Sequence, residues 1–477
     1  MLGHDLHRSS LGDPEIAGLT ADSRAVKPGD LFAALPGAKM DGRDYIEDAI
    51  ARGAVAVLAP AGTVIEDSRT ALVTDINPHR RFALMAAKFF QAQPAVMAAV
   101  TGTNGKTSVA NFTRQIWSKV GLSAASFGTI GLVSPKRHQA GTLTTPDPVA
   151  LHKLLAELAE EGVTHAAFEA SSHGLDQYRL DGVALSAAAF TNLTRDHLDY
   201  HGDMATYWRA KRRLFAELLP DWGTAVFNAD SEQAEDLLKL AQERGLSTVS
   251  FGAAGADIQI LKIVPAAAGQ EITLSVAGRR HDLLLPLAGD FQVSNAACAL
   301  GLAIATGADP DRAVAALETL EGVPGRLQLV AQTSKGAAVY VDYAHTPDGL
   351  ETALRALKPH TQGRLIALFG CGGDRDPGKR PMMGAIAARL SDYAIVTDDN
   401  PRTEDAASIR AQVMVGSPNA EEIGDRRTAI RAAIAMAGPG DVVVLAGKGH
   451  ESGQIVGSTV LPFDDAEEAR SAVKEGA

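Results

Sequence analysis

The sequence predicts a three-domain α/β protein: a small α/β N-terminal domain over residues 1–88, a central, mostly parallel sheet with a phosphate loop over 89–324, and a second α/β domain over 325–477. Three observations predict it. Strand-length apolar runs alternate with amphipathic helical stretches through the middle of the chain, the rhythm of βαβ units. The last third repeats that alternation, with polar loops directly after its strands. A chain of 477 residues is long enough for about three domains of ordinary size.

Each element follows from local pattern. In the first block, short strands end in Gly, Pro or Asp turns, as in Asp30-Leu31-Phe32-Ala33-Ala34-Leu35-Pro36-Gly37. A helix over Tyr45–Arg52 and a strand over Ala54–Leu58 follow, and a helix over His79–Gln91 leads into the second block. There the expected elements are Ala95–Val100, Val109–Val120, Leu151–Glu161, Thr164–Ala170, Ala187–Thr191, Met204–Leu218 and Thr224–Asn228. Residues 254–290 break the rhythm. Ile258, Ile260 and Ile263, then Ile272, Leu274 and Val276, alternate as appended hairpins do. In the third block, strands are expected at Val339–Tyr343, Leu365–Phe369, Tyr393–Thr397 and Val442–Leu445, with helices at Pro347–Leu357, Met383–Leu390 and Arg427–Ala437. No internal repeat or low-complexity tract is visible.

Composition narrows the function classes. Apolar content of 46% and charged content of 21% fit a soluble globular protein. A net charge of −12 argues against a nucleic-acid partner, though not against small anions met by local Arg and Lys. The two cysteines, Cys298 and Cys371, are too few and too far apart for a disulfide framework or zinc-ligand spacing, which suits a reducing cytoplasm. Met1–Ser10 lacks an apolar signal segment, and no run of about 18 apolar residues predicts a membrane span.

The run Val100-Thr101-Gly102-Thr103-Asn104-Gly105-Lys106-Thr107-Ser108, between a strand and a helix, has the parts of a phosphate cradle. Glycines admit backbone N–H groups to phosphate oxygens, the helix N-terminus and Lys106 supply positive charge, and Thr107 offers a hydroxyl to Mg²⁺. It is not a strict Walker A, because Val100 stands five before Gly105. An ordinary glycine loop is the alternative, and the flanking strand and helix favour a nucleoside triphosphate.

Glu169 ends a strand and precedes Ser171-Ser172-His173-Gly174. It reads either as an Mg²⁺ ligand or as a solvated loop acid, and position alone leaves both open. The polar stretch Thr191 to Asp199 makes His197 a candidate to bind a cation or orient a reacting group, against a structural role. Lys211 lies in the charged helix Tyr207–Phe215, where a solvated face is the plain reading. In the last third, Gly370–Arg380, Asp398–Arg402 and Gly447–Glu451 each follow a strand. In a parallel sheet these loops converge on the carboxyl edge, so a shared anion-recognising site is expected rather than three flexible turns.

Taken together, Gly102–Thr107, Glu169–Gly174, Thr191-Asn192 with Asp196-His197, and Asp342-Tyr343-Ala344-His345-Thr346-Pro347 resemble the Mur ligases, ATP-dependent amino-acid ligases of peptidoglycan precursor synthesis. The resemblance runs from Thr20 to about Asp465. It implies a central P-loop-type ATPase domain and a C-terminal Rossmann-like α/β domain. Within the family, Asp399-Asn400-Pro401-Arg402 matches the members that add meso-2,6-diaminopimelate rather than L-lysine as the third residue. Gln292 departs from the Asn expected there, keeping an amide.

The resemblance implies the following roles. ATP would be met by Gly102, Thr103, Asn104, Gly105, Lys106, Thr107 and Ser108, with Asn295 at the adenine and Arg326 and Asp342 also on the nucleotide. Mg²⁺ would be held by Thr107, Glu169, His197 and Lys211, the last carbamylated into a carboxylate-like anion, which reverses the plain reading of that residue. Lys106, Glu169, His197 and Lys211 form the implied catalytic set. Ser23 would contact the uridine end of UDP-MurNAc-L-Ala-D-Glu, and Thr144, Thr145, Ser171, Gln177 and Arg179 the rest of it. Arg375, Asp399, Asn400, Pro401, Arg402, Gly447 and Glu451 would bind diaminopimelate. The implied chemistry passes through an acyl phosphate, with domain closure about hinges near 90 and 325 excluding water. Partners would be these small molecules only, with no nucleic acid or membrane span, and the enzyme a cytoplasmic monomer. Rival readings are a related ligase adding D-alanyl-D-alanine or extending folate with glutamate, which would lack the 399–402 pattern, and a nucleotide-dependent regulator, which would need neither Lys211 nor the amino-acid loops.

Overall fold

The computed structural model describes residues 14–37, 40–67, 69–139, 144–194, 196–266 and 269–476. The segment Met1–Ser10 and Arg195 of the 191–199 loop lie outside them. The chain forms two compact units. One comprises Met1–Ala110, Gly121–Phe227 and Ser231–Val249, the other Asn111–Val120, Asn228–Asp230 and Ser250–Ala477.

The first unit contains two sheets. Gly18–Thr20, Asp30–Ala33, Ala56–Pro60 and Ala71–Asp75 pair in chain order, all parallel. The second sheet runs Thr224–Asn228, Ala187–Phe190, Val96–Thr101, His165–Glu169, Ala124–Gly128 in parallel. The short strands Gly131–Val133 and His138–Gln139 extend it antiparallel at one end, and beyond Thr224–Asn228 the sheet continues through Ser247–Gly252 to a total of eleven strands. Its strands are rich in small residues, with Ala187, Ala188 and Ala189 fully buried. Phe127 and Phe168 stack at 5.1 Å on the same sheet. Burial on both faces explains why these strands read as continuous apolar runs.

In the second unit, Ile258–Ala266, Gly269–Val276 and Arg279–Leu285 form the expected antiparallel hairpins. A six-stranded sheet follows in the order Gln328–Gln332, Ala338–Asp342, Val442–Ala446, Leu365–Phe369, Tyr393–Val396, Glu421–Glu422. Only its first strand is antiparallel. Alternation along the buried strand Val442–Ala446 splits its side chains between two cores. Val442, Val444 and Ala446 pack with Leu350, Leu354 and Met383, whereas Val443 and Leu445 pack with Ile430, Ile434 and Ala469.

Helix starts are chemically marked. Asn77-Pro78, Asp147-Pro148, Asp309-Pro310 and Thr346-Pro347 each place a side-chain acceptor at the N-cap and proline in the first turn. The expected single helix over Met204–Leu218 is instead an α-helix, Met204–Arg213, that widens into a π turn over Leu214–Leu218. The elements Gln328–Gln332, Ala406–Met414, Gly453–Val456, Thr459–Pro462 and Asp465–Lys474 were not expected from pattern. No helix among the described residues is long and apolar enough to cross a membrane.

One ion pair ties the core of the second unit to its carboxyl edge. Arg426 and Asp465 are both fully buried and meet through two bonds of 2.8 and 2.6 Å. Arg426 also donates to the carbonyl of Ala446, where a strand ends. Removing one partner leaves an uncompensated buried charge. Asp465→Ala is therefore expected to destabilise this unit by about 3–5 kcal/mol, read by chemical denaturation. A midpoint equal to wild type would contradict this account.

Candidate active site

In the first unit the site grows from the end of the strand Val96–Thr101. Gly102 has φ 149°, and a Cβ there would overlap the Thr191 hydroxyl. Only glycine lets the loop pass so close to the neighbouring strand's end. The loop is pinned by that neighbour. Thr103 N donates to Asn192 O at 2.9 Å, Asn104 N to Asn192 Oδ1 at 2.9 Å, and Thr191 Oγ1 to Asn104 O at 2.6 Å. The helix Lys106–Lys119 starts at the loop's last residues, so Gly105–Ser108 lie at its N-terminus, where backbone N–H groups are free of helical partners. Lys106 Nζ bridges the carbonyls of Gly102 at 3.0 Å and Thr103 at 2.7 Å.

Glu169 ends the next strand and is buried. Burial pushes its carboxyl pKa up, against hydrogen bonds from Thr129 and Thr107 and the charge of Lys106. Thr129 supplies its N–H at 2.7 Å and its hydroxyl at 3.1 Å. Sequence reasoning missed Thr129. Its signal was the Gly128-Thr129 pair after a strand, since a Cβ at Gly128 would collide with the Glu169 carboxylate.

Lys211 is almost wholly buried, so the solvated-face reading is excluded. Its Nζ donates to Gly102 O at 2.6 Å and lies 4.3 Å from the Tyr207 ring centre. Burial, then the neighbouring Lys106 charge, lowers its pKa to about 6. His197 stands at φ 52° with Nε2 3.4 Å from Asp196 Oδ2, and its ring is 5.0 Å from that of His173 and 6.1 Å from that of Tyr207.

The five residues assigned to the peptide moiety form one connected network. Thr144 bonds Thr129, Thr145 bonds Ser171 and the carbonyl of Glu169, and Arg179 donates to Thr145 O at 2.8 Å and to Gln177 Oε1 at 2.6 Å. Gln177 and Arg179 also line a cleft of about 600 Å³ with Thr20, Asp22, His79 and Asp147. Ser23 lies on the adjoining short helix Ser23–Ala25 and does not line that cleft.

In the second unit the three expected loops do converge, because their strands are neighbours in a parallel sheet. Asn400 Nδ2 donates to Glu451 Oε2 at 2.8 Å. Arg402 Nη1 donates to Gly373 O at 2.8 Å, joining the first two loops. Asp399 is buried, and its Oδ2 has no hydrogen-bond partner among the described residues. Pro401 is buried beside it, and Arg375 is exposed. Gly447 has φ 120°, and a Cβ there would stand 2.5 Å from Asp399 Oδ2. Lys448 is fully buried against Asn400 and Glu451, a placement that its position between Gly447 and Gly449 does not signal.

The residues assigned to the nucleotide in this unit are not gathered by mutual bonds. Asn295 is buried on the helix Asp290–Ala305 and donates to Gln292 Oε1 at 3.0 Å. Asp342 ends the strand Ala338–Asp342 and accepts from Leu327 N and Ala344 N at 2.7 and 2.8 Å. Burial holds its carboxyl pKa up against those bonds and Arg326. The Arg326 guanidinium lies 5.7 Å from the Tyr343 ring centre.

Comparison with known proteins identifies the family. Residues 15–98 match the model described as Mur ligase family, catalytic domain, residues 100–303 the Mur ligase middle domain, and residues 325–449 the Mur ligase glutamate ligase domain. The chain is 55% identical over 470 residues to the UDP-N-acetylmuramoyl-L-alanyl-D-glutamate–2,6-diaminopimelate ligase of Chelativorans sp. (strain BNC1), covering 98% of this chain and 97% of the relative. It is 56% identical over 468 residues to the protein of the same name from Caulobacter vibrioides, covering 97% and 96%. A solved structure titled with that ligase name superposes with a TM-score of 0.78 at 36% identity, covering 96% of this chain and 95% of the other. These matches span nearly the whole chain, and the chain belongs to the Mur ligase family.

Proposed function

We propose that this protein is an ATP-dependent ligase that joins meso-2,6-diaminopimelate to the D-glutamate γ-carboxylate of UDP-MurNAc-L-Ala-D-Glu. In this reading residues 1–88 hold the uridine end, 89–324 the ATP and 325–477 the amine. Both cysteines are free and buried, which suits action in the reducing cytoplasm.

A carboxylate is a poor electrophile, so one of its oxygens first attacks the γ-phosphorus of ATP, and ADP leaves. The diaminopimelate nitrogen then attacks the acyl-phosphate carbonyl, loses a proton and expels phosphate. Lys106 and the helix N-terminus at Gly105–Ser108 stabilise charge on the transferring phosphoryl group. Mg²⁺ would neutralise further phosphate charge. The residues present fit it, because Glu169 and Thr107 offer hard oxygen donors and this ion takes few protein ligands beside phosphates. No group of three His, Cys, Asp or Glu side chains suited to a metal occurs among the described residues. A second Mg²⁺ would be held by His197 with Lys211 as a carbamate, since a lysine amine is not a hard oxygen donor.

The observation that carries the choice of amine is Asp399 Oδ2, a buried carboxylate oxygen without a hydrogen bond in the loop that also carries Arg402. A buried charge calls for a partner. The distal end of diaminopimelate brings an ammonium for Asp399 and a carboxylate for Arg402 and Arg375, whereas lysine brings no second carboxylate. Polar sites of this kind reject an analogue lacking the matching group by ~10²–10⁵-fold. Phosphate release from ATP with UDP-MurNAc-L-Ala-D-Glu tests the reading in three arms: meso-diaminopimelate, L-lysine and no amine. Turnover is expected only in the first. Turnover with lysine would overturn the specificity, and none with any amine would overturn the ligase.

A further inference from the structure

The loop Gly447–Glu451 contains a buried cation with no assigned role. The Lys448 side chain is fully buried. Its Nζ lies 3.0 Å from Asn400 Oδ1 and 3.1 Å from Glu451 Oε2. Asn400 closes the ring by donating Nδ2 to the same Glu451 oxygen at 2.8 Å, and Asn400 Oδ1 also accepts from Ile455 N at 2.9 Å. Both polar atoms of the Asn400 amide are therefore used inside the protein, and so is Oε2 of Glu451.

The charges around this ring differ in how they are met. Glu451 is paired with Lys448, and Asp398 with Arg410. Of the other buried cations here, Arg426 is paired with Asp465 and also acts electrostatically on Asp399, and Arg380 is paired with Glu404. Asp399 alone among these carboxylates keeps a buried oxygen without a hydrogen bond.

From this juxtaposition we propose that Lys448 is a specificity-determining positioning residue. It neutralises Glu451 and adds a further bond to the Asn400 amide, so that the edge presents Asp399, whose buried Oδ2 has no hydrogen bond, to a single substrate ammonium. This rests on the reading of that edge as the amine site. Asn400 and Glu451 then act as a preset frame, with Glu451 Oε1 left to the ligand. Without Lys448 the frame would carry two competing anionic acceptors, Asp399 and a Glu451 whose charge is no longer met within its own loop, and the Asn400 amide would keep only its bonds to Glu451 and Ile455. Binding of a second ammonium, or of the first in the wrong place, would no longer be disfavoured.

The test uses the full chain and three kinetic titrations, of meso-diaminopimelate, ATP and UDP-MurNAc-L-Ala-D-Glu, on wild type, Lys448→Met and the double variant Lys448→Met with Glu451→Gln. Lys448→Met is expected to raise KM for the amine at least about tenfold, the size of one lost charge-assisted contact, with the other two KM values within about twofold. The double variant removes the orphaned charge as well, and is expected to recover at least about threefold of that loss. An unchanged amine KM, equal losses for all three substrates, or a double variant no better than the single one would overturn the proposal. If Lys448→Met does not fold, Lys448→Gln, which keeps an N–H donor, carries the same three titrations and the same criteria. Wild-type turnover separates the two levels. No use of diaminopimelate by wild type sinks the amine-site reading and this proposal with it, whereas wild-type use with unaffected Lys448 variants sinks this proposal alone.

Discussion

Lys211→Met is expected to abolish ligation while leaving the protein at least as stable as wild type. The amine sits in a buried pocket, shares the Gly102 carbonyl with Lys106, and has its pKa lowered to about 6, first by burial and then by that neighbour. An unfolded lysine keeps its proton to about 10.4. Between these values the unfolded chain binds more protons than the folded one, so this group makes stability rise with pH from about 6 towards 10. At neutral pH it is thus a burden on folding, and methionine relieves that burden for the loss of one hydrogen bond worth about 1 kcal/mol. What the burden supplies is a free amine lone pair. That nitrogen can add to the carbon of CO₂ and release a proton, giving a carbamate with two hard oxygens beside the phosphate loop at Gly102. Wild type incubated with ¹³C-labelled CO₂ is expected to show one carbamate resonance that Lys211→Met lacks, and occupancy is expected to fall as pH drops through about 6. Full ligase activity in Lys211→Met would remove the carbamate from the mechanism.

The pattern of what could be read in advance has a physical basis. The parallel sheets were legible because strands buried on both faces, such as Leu365–Phe369, are continuous apolar runs between helices that begin at marked caps. The strand Gln328–Gln332 was not, because it lies on a sheet edge and its residues are mostly half-exposed. The hairpin Gly453–Val456 and Thr459–Pro462 escaped for the same reason, with its second strand exposed throughout. At the site, convergence of the three loops followed from strand order. The burial of Lys211 and Lys448 did not, because a lysine in a charged helix or between glycines carries no mark of which way it points. Only the fold shows that each reaches a buried acceptor, Gly102 O in one case and Asn400 with Glu451 in the other. Lys211 was assigned through family resemblance and not through pattern, which had placed it in solvent.

Arg402→Ala is expected to lower kcat/KM for meso-diaminopimelate by about 10²–10³-fold, the cost of truncating one partner of a desolvated charge pair, while the KM for ATP stays within about twofold. Arg402 adopts φ 52°, a left-handed conformation uncommon for a residue with a Cβ. It is held there from both sides. Its N–H donates to Ile455 O at 3.1 Å and its carbonyl accepts from Gly457 N at 2.7 Å, while its side chain reaches Gly373 O. A Cβ on Gly372 would stand 2.8 Å from its Nη1, so the facing loop is kept bare to admit the guanidinium. Backbone strain maintained by surrounding bonds is a feature of ligand-holding positions rather than of passive turns. Alanine keeps the same backbone bonds available, so the loss should fall on the amine and not on the fold. The same variant should also narrow the preference over L-lysine, because the penalty lysine incurs is the guanidinium it leaves unpaired. Titration of both amines and of ATP against wild type and Arg402→Ala measures all three effects. Equal losses for diaminopimelate and ATP would show that Arg402 supports the fold of this edge instead of reading the carboxylate of its substrate.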